Sequence, residues 1–287
     1  MELKTKDTFF SVKSTLNVGG KILDLSQPKV MGILNLTPDS FYDGGDYFTE
    51  KEALKRAEQL LTEGAAIIDL GAYSSRPGAE DIMPEEELYR LIPVIKAVVK
   101  EFPQAIISVD TFRAEVAKVA VYEGAGIIND ISGGGLDGQL FETVARLQVP
   151  YILMHMRGNP QTMTKLTDYE DVLKDVLNYF SDRVFALRML GVKDIIIDPG
   201  FGFSKTREQS FKLINELNYL KMLNLPILVG VSRKSLIYKT LDVTPDEALN
   251  GTSVLNTVCL LKGANILRVH DVKEAMEAVK LINQLAH

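Results

Sequence analysis

Asn35, Asp69, Asp110, Asn129, His155, Asp198, Ser232 with Lys234, and Arg268 with His270 each stand at or just beyond the end of a short apolar run. Taken singly, a polar residue in such a place solvates a rim or caps a turn. Together they offer the carboxylates of Asp69, Asp110 and Asp198, the amides of Asn35 and Asn129, and the cations of Lys234 and Arg268. That set suits a planar heterocycle with both donors and acceptors that also carries an anion. Carboxylates such as Asp110 and Asp198 accept charge-assisted hydrogen bonds from ring N–H and amino groups. Asn129 can donate and accept at once. Lys234 would meet a ring carbonyl or nitrogen, and Arg268 and His270 would face the anion.

The elements that must bring these residues together repeat along the chain. The runs are Val30–Leu36, Ala66–Leu70, Ala105–Val109, Gly126–Asn129, Pro150–Met154, Asp194–Ile197, Pro226–Gly230 and Asn265–Val269. They are short, almost wholly apolar and rich in β-branched residues, as strands covered on both faces of a parallel sheet must be. Amphipathic helical segments lie between them. Thr49-x-x-Glu52 and Thr244-Pro245-Asp246-Glu247 predict capping boxes, and Pro84-Glu85-Glu86-Glu87 places acids in a first helical turn, where the macrodipole favours them. Ser232-Arg233-Lys234-Ser235 predicts another helix start, whose free N–H groups add positive potential. Strand–helix alternation repeated in this way predicts an α/β protein, a (β/α)8 TIM barrel, with the active site at the C-terminal ends of its strands and phosphate sites after the last of them. Residues 1–27 do not fit the repeat; Val18-Gly19-Gly20-Lys21-Ile22 marks the turn of an N-terminal hairpin closing the barrel bottom. No linker interrupts 1–287, so a single domain is expected.

The composition bounds the function. The 287 residues are 46% hydrophobic and 24% charged, and 32 basic against 38 acidic residues leave a net charge of −6. Such a chain is neither disordered nor of low complexity. The acidic balance argues against a nucleic-acid partner, which favours a basic face. Cys259, the single cysteine, lies in the apolar run Val258–Leu261, so it has no disulfide partner and reads as a buried thiol. His155, between Met154 and Met156, reads as a packed rim histidine, and with His287 at the chain end the three histidines are too scattered for a His-rich metal site. Gly133–Gly138 formally matches GxGxxG, but the acid expected about 20 residues later is missing, so it reads as a strand-to-helix turn. No apolar run approaches the ~20 residues that cross a bilayer, and the polar start has no signal-peptide core; the expectation is a cytoplasmic protein with no membrane partner.

The rim residues fall within longer motifs. Val30-Met31-Gly32-Ile33-Leu34-Asn35-Leu36-Thr37-Pro38-Asp39-Ser40-Phe41 resembles the first signature of the dihydropteroate synthase family, and Asp69-Leu70-Gly71-Ala72-Tyr73-Ser74-Ser75-Arg76-Pro77-Gly78 its second. Asp198–Lys205 and Gly230–Ser235 are similar to its third and fourth, and Arg268-Val269-His270-Asp271 to its closing motif. The resemblance runs in order from about residue 17 to the C-terminus. It implies a folate-pathway transferase that joins 4-aminobenzoate to 6-hydroxymethyl-7,8-dihydropterin diphosphate. By motif, Asp110, Asn129, Asp198 and Lys234 would hold the pterin, with Met154 lining the pocket. Asn35, Arg268 and His270 would hold the diphosphate with Mg2+, Asn35 as the metal ligand. Asp39 on the first loop and Ser75, Arg76 and Pro77 on the second would complete the aminobenzoate site, beside Phe203 and Ser235. Asp39 and Arg76 join Asp110, Asp198, Lys234, Arg268 and His270 in the implied catalytic set. The family also implies a homodimer inhibited by sulfonamides. In the second loop the commonest Gly-Glu-Ser-Thr-Arg-Pro-Gly gives way to Ala72-Tyr73-Ser74-Ser75-Arg76-Pro77-Gly78.

The parts imply departure of a diphosphate neutralised by Mg2+, Arg268 and His270, ionisation at the pterin methylene, and then attack by an arylamine that needs orientation more than a base. Other readings stay open from the sequence. A pterin-binding methyltransferase barrel would need a corrinoid partner domain. A non-catalytic pterin-binding paralogue would lose Lys234, Arg76 or Arg268. A Schiff-base aldolase using Lys234 would be trapped by borohydride with substrate.

Overall fold

The computed structural model of the protein describes residues 14–36, 50–74 and 81–285. Strands β3 (Lys29–Asn35), β4 (Ile67–Gly71), β5 (Ile106–Asp110), β6 (Ile127–Asp130), β7 (Tyr151–Met154), β8 (Ile195–Asp198), β9 (Leu228–Val229) and β10 (Ile266–Val269) form one parallel sheet. Its order is β8-β7-β6-β5-β4-β3-β10-β9, and a parallel bridge between Ile197 and Ile227 brings the two edges together. This is the expected (β/α)8 barrel. Its helices are α1 (Glu50–Thr62), α2 (Pro84–Glu101), α3 (Ala114–Tyr122), α4 (Leu140–Leu147), α5 (Val172–Met189), α6 (Arg207–Asn215), α7 (Ser235–Leu241), α8 (Leu249–Leu261) and α9 (Val272–Leu285). The strands present one face to these helices and the other to the lumen, which is why both faces of each run are apolar over most of its length.

Two strands precede the barrel. β1 (Thr15–Val18) pairs antiparallel with β2 (Lys21–Asp24), and the turn between them is Gly19-Gly20 at φ of 57° and 85°. Both angles are left-handed, so the two glycines supply the primed turn that matches strand twist. The hairpin inserts Leu16, Val18, Leu23 and Leu25 against Met31, Ile67, Ile127, Ile152, Ile196, Leu228 and Ile266, the lower lumen layer. The predicted plug is therefore present; burial of each such aliphatic side chain contributes about 1.5–3 kcal/mol.

Local signals behave unevenly. α2 starts at Pro84 with Glu85, Glu86 and Glu87 in its first turn, as predicted. At Thr244 the reach-back is made, since the Thr244 N–H donates to Glu247 Oε2 at 3.0 Å. It closes an isolated turn, however, and α8 begins only at Leu249. The Gly133–Gly138 segment is a turn, as expected, and Cys259 is fully buried, its thiol pushed up to about 12 by desolvation. Among the described residues no helix is long and apolar enough to cross a membrane.

Candidate active site

Alternation along the strands builds the site. β4 reads Ile67, Asp69, Gly71 on the lumen face, β5 reads Ile106, Ser108, Asp110, and β6 reads Ile127, Asn129. Register places Gly71 beside Asp110 and Asp110 beside Asn129, with Asn35 of β3 beside Gly71. A Cβ at Gly71 would lie 3.5 Å from Asp110 Cβ and 3.6 Å from Asn35 Oδ1, so the glycine leaves room between these polar groups. Asp69 is two residues short of the strand end, fully buried and a layer deeper than the rim position read from sequence.

Arg268 of β10 reaches across this row. Its Nε donates to Asp69 Oδ2 at 2.6 Å and its Nη2 to Asp110 Oδ2 at 2.8 Å. Asn129 Nδ2 donates to the same Asp69 oxygen at 3.0 Å. Desolvation pushes the Asp110 carboxyl up to about 7; Arg268 opposes the rise, and the negative charge of Asp69 assists it. Burial works against the Arg268 cation, but Asp69 and Asp110 more than reverse that, holding it above its ordinary range.

A second cluster comes from β8 and β9. Asp198 is buried, and Gly200 N–H donates to its Oδ1 at 2.8 Å. Gly200 has φ of 66°, and a Cβ there would strike the His155 carbonyl, so the turn after β8 admits little else. α7 starts within the predicted Ser232–Ser235 segment, with Lys234 at its N-cap position and no capping bond from its side chain. Its Nζ donates to the Phe201 carbonyl at 2.8 Å and sits 4.6 Å from the centre of the Phe203 ring. Desolvation lowers the Lys234 ammonium to about 8 and raises the Asp198 carboxyl, while each opposes the shift in the other. Ser235, the next residue, is exposed on a cavity of about 360 Å3 that also borders Gly202 and Lys239.

His270 follows β10. Its backbone N–H donates to Ser232 Oγ at 3.2 Å, and that hydroxyl lies 3.1 Å from the ring Nδ1. The Ser232 hydroxyl thus ties the His270 ring to its own backbone. Burial and Arg268 lower His270 to about 4, so near neutrality the ring is uncharged, with Arg268, Arg233 and Arg56 as the cations around it. Arg233 donates to both Asp271 oxygens at 3.0 and 2.7 Å, bolting the Lys234 loop to the His270 loop.

His155 is the packed histidine expected. Its Nδ1 faces Lys205 Nζ at 2.7 Å, its ring packs on Tyr179, and burial drives it down to about 2. Buried Lys205 also donates to the carbonyls of Gly200 and Phe203 at 3.1 and 3.0 Å, which fixes the loop carrying Phe203. Met154 is buried with Ile131, Met156 and Met163, and Phe112 and Phe203 pack on them as one apolar wall. Asp39, Ser75, Arg76 and Pro77 lie outside the described residues. Sequence reasoning gave no role to Asp69 or Lys205; the Ile67-x-Asp69-x-Gly71 alternation was the available signal for the first.

Comparison with known proteins identifies this arrangement. The family model "Pterin binding enzyme" matches residues 31–270. The dihydropteroate synthase of Escherichia coli K12 is 44% identical over 265 residues, 92% of this chain and 93% of that one. A Yersinia pestis dihydropteroate synthase crystallised with a sulfonamide drug superposes with a TM-score of 0.90 at 39% identity, covering 95% of this chain and 99% of that one. The chain belongs to the dihydropteroate synthase family. It is accordingly a transferase of folate synthesis. A further family member, from Xanthomonas albilineans, was solved with 4-aminobenzoic acid and superposes with a TM-score of 0.89 at 38% identity, over 95% and 98% of the two chains.

Proposed function

We propose that this chain condenses 6-hydroxymethyl-7,8-dihydropterin diphosphate with 4-aminobenzoate to give 7,8-dihydropteroate and diphosphate. The observation that supports it best is the hydrogen-bonded row of buried Asp69 and Asn129 with half-buried Asp110 and Arg268, an arrangement able to read a ring and an anion side by side. Xanthomonas albilineans relatives are described with 4-aminobenzoic acid and with 7,8-dihydropteroate, ligands that match the second substrate and the product. Asp110 and Asp198 would accept from ring N–H and amino groups, Asn129 would give and accept, and Lys234 would meet the ring carbonyl or nitrogen. A carboxyl near 7, as Asp110 has, can hold or release a proton at neutrality and so suits either hydrogen-bond sense. Met154 would pack on the ring face.

The methylene C–O bond breaks with its electron pair leaving on the diphosphate, and the pterin ring delocalises the resulting cation. Arg268 and the uncharged imidazole of His270 would meet the developing anion, where electrostatic stabilisation counts most. The arylamine lone pair then forms the C–N bond, and its extra proton leaves to solvent or diphosphate. Phe203 and Ser235, with Asp39, Ser75, Arg76 and Pro77, would hold the aminobenzoate.

The donor set also fits Mg2+ delivered with the diphosphate. Among the described residues no group of three or more His, Cys, Asp or Glu could cage an ion, whereas Mg2+ commonly rests on one or two protein oxygens, waters and substrate phosphates. Asn35 Oδ1 would supply the protein oxygen, and the ion would neutralise charge on the leaving group. A single domain, a homodimer and competition by sulfonamides at the aminobenzoate site complete the reading.

Incubation of the protein with Mg2+, the pterin diphosphate and labelled 4-aminobenzoate should yield labelled dihydropteroate. No product under conditions where the protein is folded would overturn the proposal.

A further inference from the structure

Asp69 belongs to the rim series, yet the family resemblance gives it no task. We propose that Asp69 is a positioning residue that aligns the amide of Asn129 and the guanidinium of Arg268 from a single carboxylate oxygen. This rests on the pterin diphosphate reading above. Asp69 is fully buried one layer beneath the polar row, in register with Ile33 and Ser108. Oδ2 accepts from Arg268 Nε at 2.6 Å and from Asn129 Nδ2 at 3.0 Å. Oδ1 is buried and takes no hydrogen bond among the described residues, so the hydrogen bonding of this side chain is directed at those two groups.

Each contact settles an orientation that would otherwise be free. An asparagine amide can turn over, exchanging its donor for its acceptor with little change of shape. With one Nδ2 hydrogen committed to Asp69, the amide cannot turn over, so Oδ1 would accept from a ring N–H and the second Nδ2 hydrogen would donate. A guanidinium held at one nitrogen can swing; held by Asp69 at Nε and by Asp110 at Nη2, its plane is fixed. Its remaining N–H groups then have one direction in which to meet an anion. A single buried charge thus sets the spacing between the ring reader and the anion reader. Preorganisation of this kind is what an ionisation step needs, because the leaving group's charge develops faster than side chains rearrange.

The two contacts differ in kind, and that difference makes the role testable. Asn129 needs only an acceptor oxygen, whereas Arg268 needs the negative charge. Asp69→Ala removes both, and Asp69→Asn restores the oxygen alone. Ser108→Ala, at the same height on β5, serves as a control. Affinity for 6-hydroxymethylpterin, which lacks diphosphate, is read by calorimetry, and kcat by the labelled 4-aminobenzoate assay. Asp69→Ala should weaken ring binding roughly thirtyfold and lower kcat at least as much, the scale of a lost buried charged contact. Asp69→Asn should recover ring affinity to within about threefold of wild type while kcat stays about tenfold or more down, since a neutral acceptor holds an amide but not a guanidinium. Ser108→Ala should match wild type in both. Wild-type kcat in Asp69→Asn, or wild-type ring affinity in Asp69→Ala, overturns the positioning role. Should Asp69→Ala not fold, the split in Asp69→Asn decides: ring affinity kept with turnover lost supports the role, and equal losses overturn it. A wild-type protein that neither binds the pterin nor forms product overturns the functional reading itself, whereas an active wild type beside wild-type-like variants overturns only the role of Asp69.

Discussion

The lower and upper parts of the lumen are lined by the same strands two residues apart, and they are held by different forces. Below, Met31, Ile67, Ile127, Ile152, Ile196, Leu228 and Ile266 meet the hairpin leucines in a dry apolar layer. Above, Asn129, Asp198 and Arg268 occupy the next inward positions on β6, β8 and β10, beside Asp69 and Asp110. The lower layer needs only shape and volume, and the hairpin supplies both. In the upper layer Asp69 and Asp198 are buried, Asp110 and Arg268 are half-buried, and the carboxylates are answered by Arg268 and Lys234. Removing one partner there leaves an uncompensated ion, which costs more than the pair contributes. The bottom of the barrel therefore accounts for stability, and the top holds charges that stability alone would not favour.

Placing a charge in the wrong layer should have the largest effect. Ile67→Asp repeats the residue found two positions later, but without Arg268 or Asn129 to meet it. A loss of about 4 kcal/mol or more is expected in guanidinium unfolding, the range for a buried unpaired charge. A variant within about 1 kcal/mol of wild type would show that the layers do not differ as argued, since surface-like tolerance is incompatible with a dry core.

Removing the shared cation comes next. Arg268→Ala leaves the buried Asp69 and the half-buried Asp110 without their shared cation, and should lower stability by about 3–5 kcal/mol, the usual result of breaking a buried ion pair at one end. Turnover should fall more than affinity for a pterin without diphosphate. Replacing the pair together, Arg268→Met with Asp69→Leu, should regain part of the stability and none of the turnover. If the double variant unfolds as easily as Arg268→Ala, packing around Arg268 and not charge compensation sets the loss.

A pH titration separates the two layers by a smaller amount, because only the upper one titrates. Desolvation lowers Lys234 from 10.5 to about 8, so its contribution to folding is fully present above 10.5 and is lost as pH falls through 8. Desolvation raises Asp110 from 3.8 to about 7, so its contribution is full below 3.8 and is lost as pH rises through 7. Turnover that uses cationic Lys234 should decline above pH 8. Lys234→Arg should carry that limb beyond the measured range, whatever its residual rate, because a guanidinium keeps its proton. An alkaline limb unmoved by Lys234→Arg would assign the decline to another group. Hairpin variants such as Leu16→Ala should leave the profile's shape untouched while lowering stability by about 2–5 kcal/mol.

Much of this was legible from residue order, for identifiable reasons. Runs such as Ile195-Ile196-Ile197 can be buried on both faces only inside a covered parallel sheet, so the barrel follows from composition over a few residues. The polar positions stood out because each interrupts or ends such a run. What stayed hidden depends on depth or on distant partners. Asp69 sits within its run, and only the Ile67-x-Asp69-x-Gly71 alternation marks its carboxylate as lying a layer below the rim. His270 was grouped with the positive charges, yet burial beside Arg268 keeps it neutral, a property of residues on neighbouring elements. Thr244 carried a valid cap signal that closes its own turn, because α8 is positioned by its packing rather than by its first polar residue.

The smallest effect is expected where the upper layer stops being charged. Met154 ends β7 in register with Asp198, but packs with Ile131, Met156 and Met163 beneath Phe112 and Phe203. This wall resembles the lower layer in composition while standing at the height of the site. If position along the strand decided sensitivity, Met154→Leu should disturb ring binding as strongly as a change at Asp198. If the kind of force decides it, a swap that nearly conserves volume should be tolerated. Leucine keeps the apolar surface and loses only the adaptability of the thioether, a change worth less than about 1.5 kcal/mol in cores. Met154→Leu should therefore retain ring affinity to within about tenfold of wild type, the factor equivalent to 1.4 kcal/mol, and unfold at nearly the wild-type denaturant midpoint. Asp198→Asn, its register neighbour, should weaken ring binding by about 2–5 kcal/mol, as for one half of a buried charged contact. Calorimetry on the two variants side by side makes the comparison between adjacent strands at one height. Similar losses in both would mean that proximity to the ring governs this layer, and that the division between apolar and charged lumen carries no predictive weight there.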